Sequence, residues 1–449
     1  MNDAGARHSR PVAVAGIRAP APVVFPRMIR VVQRFPTPGR CDVEAEVARQ
    51  VGALETAGRI PRGRRVAIAV GSRGIGALDR ITAAVVSSLR RGGAEPVIVP
   101  AMGSHGGATA EGQREVLASL GITEARVGAP VVSSMDVVEL GRLADGSGVY
   151  WDREAYEAGA AVVVCRVKPH TAFRGRVESG LIKMATIGLG KQRGAQSLHA
   201  PGFAGFGDRL LEAWEIVRRR APLLFGVAVV EDAYDQPVEI AVLPPEAWRD
   251  REPALLDRAR RLMARLPVRA ADVLVVQEIG KNVSGDGMDP NITGRYPTPY
   301  ASGGPQIRKI VVLGLTPETH GNANGIGLAD FITQRALGTI DLHATYMNAL
   351  TSTVAETVRL PMVLATDRDA IAAAILTAPG PGPGQVRLVY IRNTLALGEV
   401  AVSTSLGSAL EPHARPASEP APLSFAADGT LLPPLAAAAA AGPARGDFR

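Results

Sequence analysis

The chain repeats one local plan twice in quick succession, and that plan restricts the folds open to it. A short β-branched run, Val66–Val70 (VAIAV), gives way to the loop Gly71-Ser72-Arg73-Gly74-Ile75-Gly76. Apolar residues then recur at helical spacing from Leu78 to Arg91, and Gly92-Gly93 stops the helix. The second copy follows at once: Pro96–Pro100 (PVIVP), the loop Gly103-Ser104-His105-Gly106-Gly107, and a helix over Thr109–Leu120. A third run, Ala161–Val167 (AVVVCRV), ends at Lys168-Pro169-His170. Uninterrupted apolar strands alternating with helices predict a largely parallel sheet covered on both faces. Ligands of such sheets bind at the loops leaving the carboxyl ends of the strands.

With 449 residues the chain is long enough for two domains. A second unit begins after Pro267. Its expected strands are Asp272–Ile279, Lys309–Leu315 and Val386–Ile391, with helical stretches at Leu328–Leu337 and Asp367–Leu376. The predicted fold class is therefore α/β, with two α/β domains of largely parallel sheet facing each other across an active-site cleft. The expected boundaries are a disordered leader over 1–28, an N-terminal cofactor-binding domain over 29–267, a C-terminal domain over 268–409 and a disordered tail over 410–449. The tail is Pro-rich, includes the run Ala436–Ala441, and has few large apolar side chains to offset the entropy of ordering. Met28 is an alternative start, since the regular pattern begins at Ile29.

The net charge is +7, of which +4 lies in residues 1–30, with five Arg against one Asp. The rest is mildly basic, which suits a small anionic ligand rather than nucleic acid. Two cysteines, Cys41 and Cys165, exclude a disulfide framework and a thiolate cluster. No apolar run is long enough to span a membrane, and the leader lacks an apolar signal region. The expectation is a cytoplasmic protein.

Seven histidines occur, and three of them, His105, His170 and His199, follow predicted strands or stand close behind. Each alone reads equally well as a solvated loop residue; three in one domain point to a site able to move protons or ligate a borderline metal. The spacing matches no zinc motif. The two Gly-rich loops could cradle a phosphate with backbone N–H groups, and Arg73 adds a fork for phosphate or carboxylate; tight turns are the alternative. In the segment His170–His199, Lys183 stands in the apolar context Leu-Ile-Lys-Met. There it is either a desolvated nucleophile or a lysine snorkelling from an amphipathic helix. His320 and His343, with the Gly/Asn-rich stretches Asn282–Arg295 and Thr319–Gly327, are candidates for the opposite wall of the cleft. Asp286 and Asp289 do not have calcium-loop spacing, and Cys165 reads as core.

Taken in order, the Gly-Ser-Arg loop, the Gly-Ser-His loop, His170, Lys183 and His199 resemble the nickel-pincer-nucleotide lactate racemase family, over roughly Ile29 to Ser405. The 16 positions from Lys183 to His199 match that family's spacing between its cofactor-bearing Lys and nickel-ligating His. Ile279-Gly280-Lys281-Asn282 looks like its Gly-x-x-Lys region. The first loop departs from the family's Asp-x-Thr-Arg by lacking the Asp and Thr. The stretch after His170 is longer and lacks the Phe-Ser-Gly-Gly run, as in a divergent branch.

The resemblance implies a racemase or epimerase that inverts C2 of a 2-hydroxy acid or sugar acid by proton-coupled hydride transfer through a 2-keto acid. The implied cofactor is a nickel-pincer nucleotide, made by assembly enzymes and tethered at Lys183, with His199 on nickel. Ser72, Arg73, Gly188 and Gly190 would hold the cofactor. His105 and His170 would be the paired acid and base, and Lys281 and Arg73 would hold the substrate carboxylate. No nucleic-acid or membrane partner is expected, and a homo-oligomer is open. Two other readings remain: a phosphate- or nucleotide-binding transferase or ligase, and a non-enzymatic two-domain protein closing on an anion.

Overall fold

The computed structural model describes residues 16–56, 58–72, 74–378, 382 and 384–435. The first sheet runs, in spatial order, Glu95–Pro100, Arg65–Val70, Ala161–Arg166, Leu223–Glu231 and Pro237–Leu243. Its first four strands are parallel and the fifth returns antiparallel. Val70 pairs with both Pro100 and Val164, so the three loops carrying the candidate residues leave one edge side by side. The helices Val43–Thr56, Leu78–Arg91 and Ala110–Ser119 cover one face of this sheet. Phe206–Arg220, Trp248–Leu262 and the helical segment beginning at Leu181 cover the other. The alternating strand residues explain the layers: Ile68, Ile98 and Val164 enter one core, Ala67, Val97 and Val163 the other.

Among the described residues the second sheet has nine strands. Met362–Leu364, Phe331–Thr333, Gln306–Val312, Ala270–Val276 and Leu388–Ile391 are parallel, and Glu399–Ser403, Arg27–Gln33 and Ala414–Pro416 continue the sheet antiparallel. Ala421–Pro422 also pairs with Arg27–Gln33. The mixed α/β fold with largely parallel sheets is as the sequence predicts.

Three boundaries differ. Arg27–Gln33, expected to open the N-terminal domain, is a strand of the second sheet, where Val31 is fully buried between Glu399–Ser403 and Ala414–Pro416. The leader from residue 16 is ordered: Ile17 bridges to Leu364 and the Phe25 ring meets Phe425 at 4.8 Å. The tail from 410 to 435 is ordered as well, because a few apolar anchors, Leu423 and Leu431 among them, enter the core, and His413 hydrogen-bonds Gln33. The sparse apolar residues suffice because an existing core receives them. Residues 1–15 and 436–449, including His8 and Ala436–Ala441, lie outside the described residues. Leu328–Leu337, expected as helix, holds a short strand, Phe331–Thr333, paired between Gln306–Val312 and Met362–Leu364, followed by a single turn of helix from Gln334.

The two sheets meet loop to loop. Lys168, just after Ala161–Arg166, donates to Asp289 at 3.0 Å, in the loop region after Ala270–Val276. Arg174 spans the same junction, donating to Asn291 Oδ1 at 2.6 Å, Tyr296 Oη at 2.8 Å and the Ser302 carbonyl at 3.0 Å.

Candidate active site

Two pairs of the predicted residues are brought into contact. Ser72, at the end of Arg65–Val70, hydrogen-bonds His105 Nδ1, from the loop after Glu95–Pro100. Lys183 Nζ lies 2.7 Å from His170 Nε2. The other ring nitrogen of His170 accepts from the Ala172 N–H at 3.0 Å. The loop holding His170 is built on Glu178, a fully buried carboxylate that accepts from the His170 N–H at 2.6 Å and from Arg260 at 2.5 Å. Arg174 closes the loop by donating to the His170 carbonyl at 2.7 Å.

Lys183 ends one turn of α-helix, Leu181–Lys183, which passes into a π-helical turn, Met184–Gly188, and then the helix Lys191–His199. Such π-turns recur at functional sites because they rotate the residues beyond them out of α-phase. The helix start at Gly180 has no side chain of its own to cap it. Glu252 does so from a neighbouring helix, its buried carboxylate accepting from the Ile182 N–H at 3.0 Å.

His199 closes the segment. Its ring stacks on Phe206 at 5.1 Å and tilts against Phe203 at 5.5 Å, and Phe203 in turn lies 6.1 Å from the His170 ring. The two histidines thus share one aromatic wall. His199 Nδ1 is buried without a hydrogen-bond partner. Burial pushes the His199 imidazole down to about 4, and the Lys183 charge adds to this while the Ala195 carbonyl opposes it. His170 lies well below its ordinary value, first through burial and then through Lys183, His199, Arg174 and Lys168. Both imidazoles are neutral at neutral pH.

Gly188 and Gly190 lie close against their neighbours. A Cβ on Gly188 would stand 2.6 Å from Met184 Sδ and 2.7 Å from the Ala101 carbonyl; one on Gly190 would stand 3.0 Å from the Thr186 carbonyl. Both are buried, and what they provide is close packing of this segment against its neighbours. The phosphate-cradle expectation meets a similar finding. The Gly76 N–H is taken by Glu231, whose other carboxylate oxygen binds Arg166. The Gly103 N–H bonds the Gly188 carbonyl, and the His105 N–H closes a turn on Met102. Arg73 lies outside the described residues.

Lys281 is on the second domain. Its ammonium donates to the Gly285 carbonyl at 2.6 Å and to Asn348 on the helix Leu342–Ser352. That helix packs against Lys191–His199, and Thr353 beyond it reaches the His199 carbonyl at 3.5 Å. His320 and His343 are exposed, the first ending a turn with φ 49°. Asp289 is a buried ion-pair partner and caps Pro290–Thr293.

The sequence reading passed over Lys168 and Lys191. A signal for both was present: the sequence has only five lysines among its 50 basic residues. Where arginine meets nearly all the demand for surface cations, the few lysines mark places that need a compact ammonium or a titratable amine. Lys191 is fully buried, ion-paired to Asp152 at 2.9 Å and bonded to the Pro100 carbonyl at 2.6 Å.

The donor set can be tested against the implied metal. Among the described residues no cluster of three or more His, Cys, Asp or Glu could hold a metal ion. A single buried, neutral imidazole with an unsatisfied nitrogen fits a metal whose other ligands come from an organic group.

No protein-family model matches the chain, and no curated protein matches it. Among solved structures it is similar to the lactate racemase apoprotein from Thermoanaerobacterium thermosaccharolyticum, with 14% identity and a TM-score of 0.48 over 82% of this chain and 99% of that one. Among the described residues no helix is long and apolar enough to cross a membrane.

Proposed function

We propose that this chain is an isomerase, a racemase or epimerase inverting C2 of a 2-hydroxy acid or sugar acid with a nickel-pincer nucleotide. The observation that carries the reading is the contact of Lys183 with His170, together with the aromatic wall that His170 shares with His199, whose Nδ1 is orphaned. His199 would ligate nickel and Lys183 would tether the organic part. Bound there, the group supplies a reversible hydride acceptor for the substrate carbon.

The chain's own residues do the rest. His105 and His170 stand on loops from different strands of one sheet edge, and both act on the hydroxyl proton, one for each enantiomer. Ser72 fixes the His105 ring through Nδ1. Lys281, borne on the second domain, neutralises the carboxylate as the cleft closes. The phenylalanines around His170 and His199 exclude water from the reacting carbon.

The test is intact mass and nickel content of chain co-produced with an active cofactor-assembly pathway. The expected result is about one nickel per chain with an adduct at Lys183, and loss of nickel in His199→Ala. Neither nickel nor adduct, with the pathway active on a control protein, overturns the reading.

A further inference from the structure

We propose that the helix Leu342–Ser352 is a self-association face, pairing with the same helix of a second copy of this chain across a two-fold axis. The helix is inverted. A helix on a protein surface ordinarily turns its apolar stripe to the core and its polar residues to water. Here Leu350 is 73% exposed and Leu342, Tyr346 and Met347 are half exposed, whereas Thr345 and Ala349 are buried and Asn348 and Ser352 half-buried. The inner face is held by its own bonds. Thr345 Oγ1 accepts from the Ala323 N–H at 2.9 Å, Asn348 Oδ1 accepts from Lys281, and Asn322 donates to the Ala344 carbonyl at 3.4 Å. Rolling the leucines inward would strand those groups, so the apolar face stays outside.

Charge and shape select the occupant. No Asp, Glu, Lys or Arg occurs from Leu342 to Ala355. A two-fold interface lays a patch on its own copy, so a charge near the axis would meet its like. An uncharged face is what self-pairing requires, and it offers no hold to a partner chosen by charge. Leu342, Tyr346 and Leu350 form one i, i+4 ridge, with His343 and Met347 beside it. Two copies of such a ridge interdigitate in the commonest class of helix packing, with axes crossing at about −50°. The four large side chains expose on the order of 400 Å². That is the apolar centre of an interface of about 800 Å² per partner, whose rim is polar. A second copy seated here bears on the outer side of the helix whose inner side holds Lys281 and packs against Lys191–His199. The pairing itself does not rest on the function proposed above.

The experiment is sedimentation velocity of the full chain over a concentration series. The expected species has twice the chain mass, with a dissociation constant of about 10 μM or tighter. Tyr346→Glu and Tyr346→Lys each set like charges against one another and should weaken the pair at least about tenfold. An equimolar mixture of the two variants should form the dimer again, which also reports that both are folded. Leu395→Glu, at a similarly exposed leucine away from this helix, should leave the mass unchanged. A parent that stays monomeric throughout overturns the proposal, and if Tyr346→Glu lowers the melting temperature of that monomer the face belongs to another segment of the same chain. A dimer untouched by Tyr346→Glu overturns it too, as does a mixture in which both variants remain monomers. Dispersal by Leu395→Glu would place the contact elsewhere and have the same consequence.

Discussion

Lys191 and Asp152 form an ion pair sealed from solvent, with side-chain exposures of 0% and 1% and a separation of 2.9 Å. Lys191 reaches it from a left-handed backbone, φ 53°, and also bonds Gln113 at 3.2 Å. Gln113 in turn donates to the Gly103 carbonyl at 2.8 Å and to the His105 carbonyl at 3.3 Å. Burial lowers the affinity of Lys191 for its proton, and Asp152 restores part of it. The pair thus fixes the loop that carries His105 from beneath.

Removing one charge of such a pair strands the other. Lys191→Met should destabilise the chain by roughly 3–5 kcal/mol, measured by urea unfolding. The double variant Lys191→Met with Asp152→Asn should recover part of that loss, since no buried charge is left alone. A single variant as stable as the parent would mean that the pair does not organise this loop.

Two glycines facing the same methionine should respond differently to alanine. At Gly71 a Cβ meets the flexible Met184 Cε at 2.6 Å, whereas at Gly188 it also meets the Ala101 backbone carbonyl at 2.7 Å. Gly71→Ala should cost less than about 1 kcal/mol and Gly188→Ala about 1–3 kcal/mol or more, because a thioether end yields and a strand-end carbonyl does not. Thermal melts of the two variants side by side decide this; equal costs would contradict it.

Glu252 makes stability fall with rising pH. Burial raises its carboxyl from 4.5 to about 7, against the opposing Ile182 and Leu181 N–H groups. The folded state therefore holds a proton that the unfolded state releases near pH 4.5. The associated stability is fully present below that pH and is lost as pH rises through about 7, amounting to roughly 3 kcal/mol. Denaturant titrations at pH 5 and 8 should show the decline in the parent and a flatter profile in Glu252→Gln. An unchanged slope in the variant assigns the decline elsewhere.

The domain junction rests on Arg174. Arg174→Ala removes its bonds to the His170 carbonyl, Asn291 and Tyr296, and the face-on contact of its guanidinium with the Tyr296 ring at 4.9 Å. Small-angle scattering should show a larger radius of gyration, with hydrogen exchange rising in 170–178 and 289–302. Parent-like scattering and exchange would show that Lys168–Asp289 suffices to hold the junction.

Where local pattern determines structure, the sequence was readable. The helix Leu78–Arg91 has the predicted ends, and Val66–Val70 and Pro96–Pro100 each lie within a strand one residue longer. His105 and His170 stand on the predicted loops because the end of a buried parallel strand is recognisable from its apolar run. What escaped depends on partners distant in sequence. Nothing near Gly188 announces that Ala101 lies against it, and nothing near Lys191 announces Asp152. The tail looked too polar to order because its anchor sites, beside Phe25 and Thr366, belong to other parts of the chain.

The placement of Arg27–Gln33 in the second sheet makes the first domain an insertion within the second. The chain crosses between them twice, through 34–42 and again through 263–269. Two covalent crossings act as a strap hinge: bending that opens the cleft is permitted, while a swivel of one domain on the other twists both straps together. During synthesis the strand Arg27–Gln33 must wait for Glu399–Ser403 to emerge, so the inserted domain can fold first on the ribosome while its host stays incomplete.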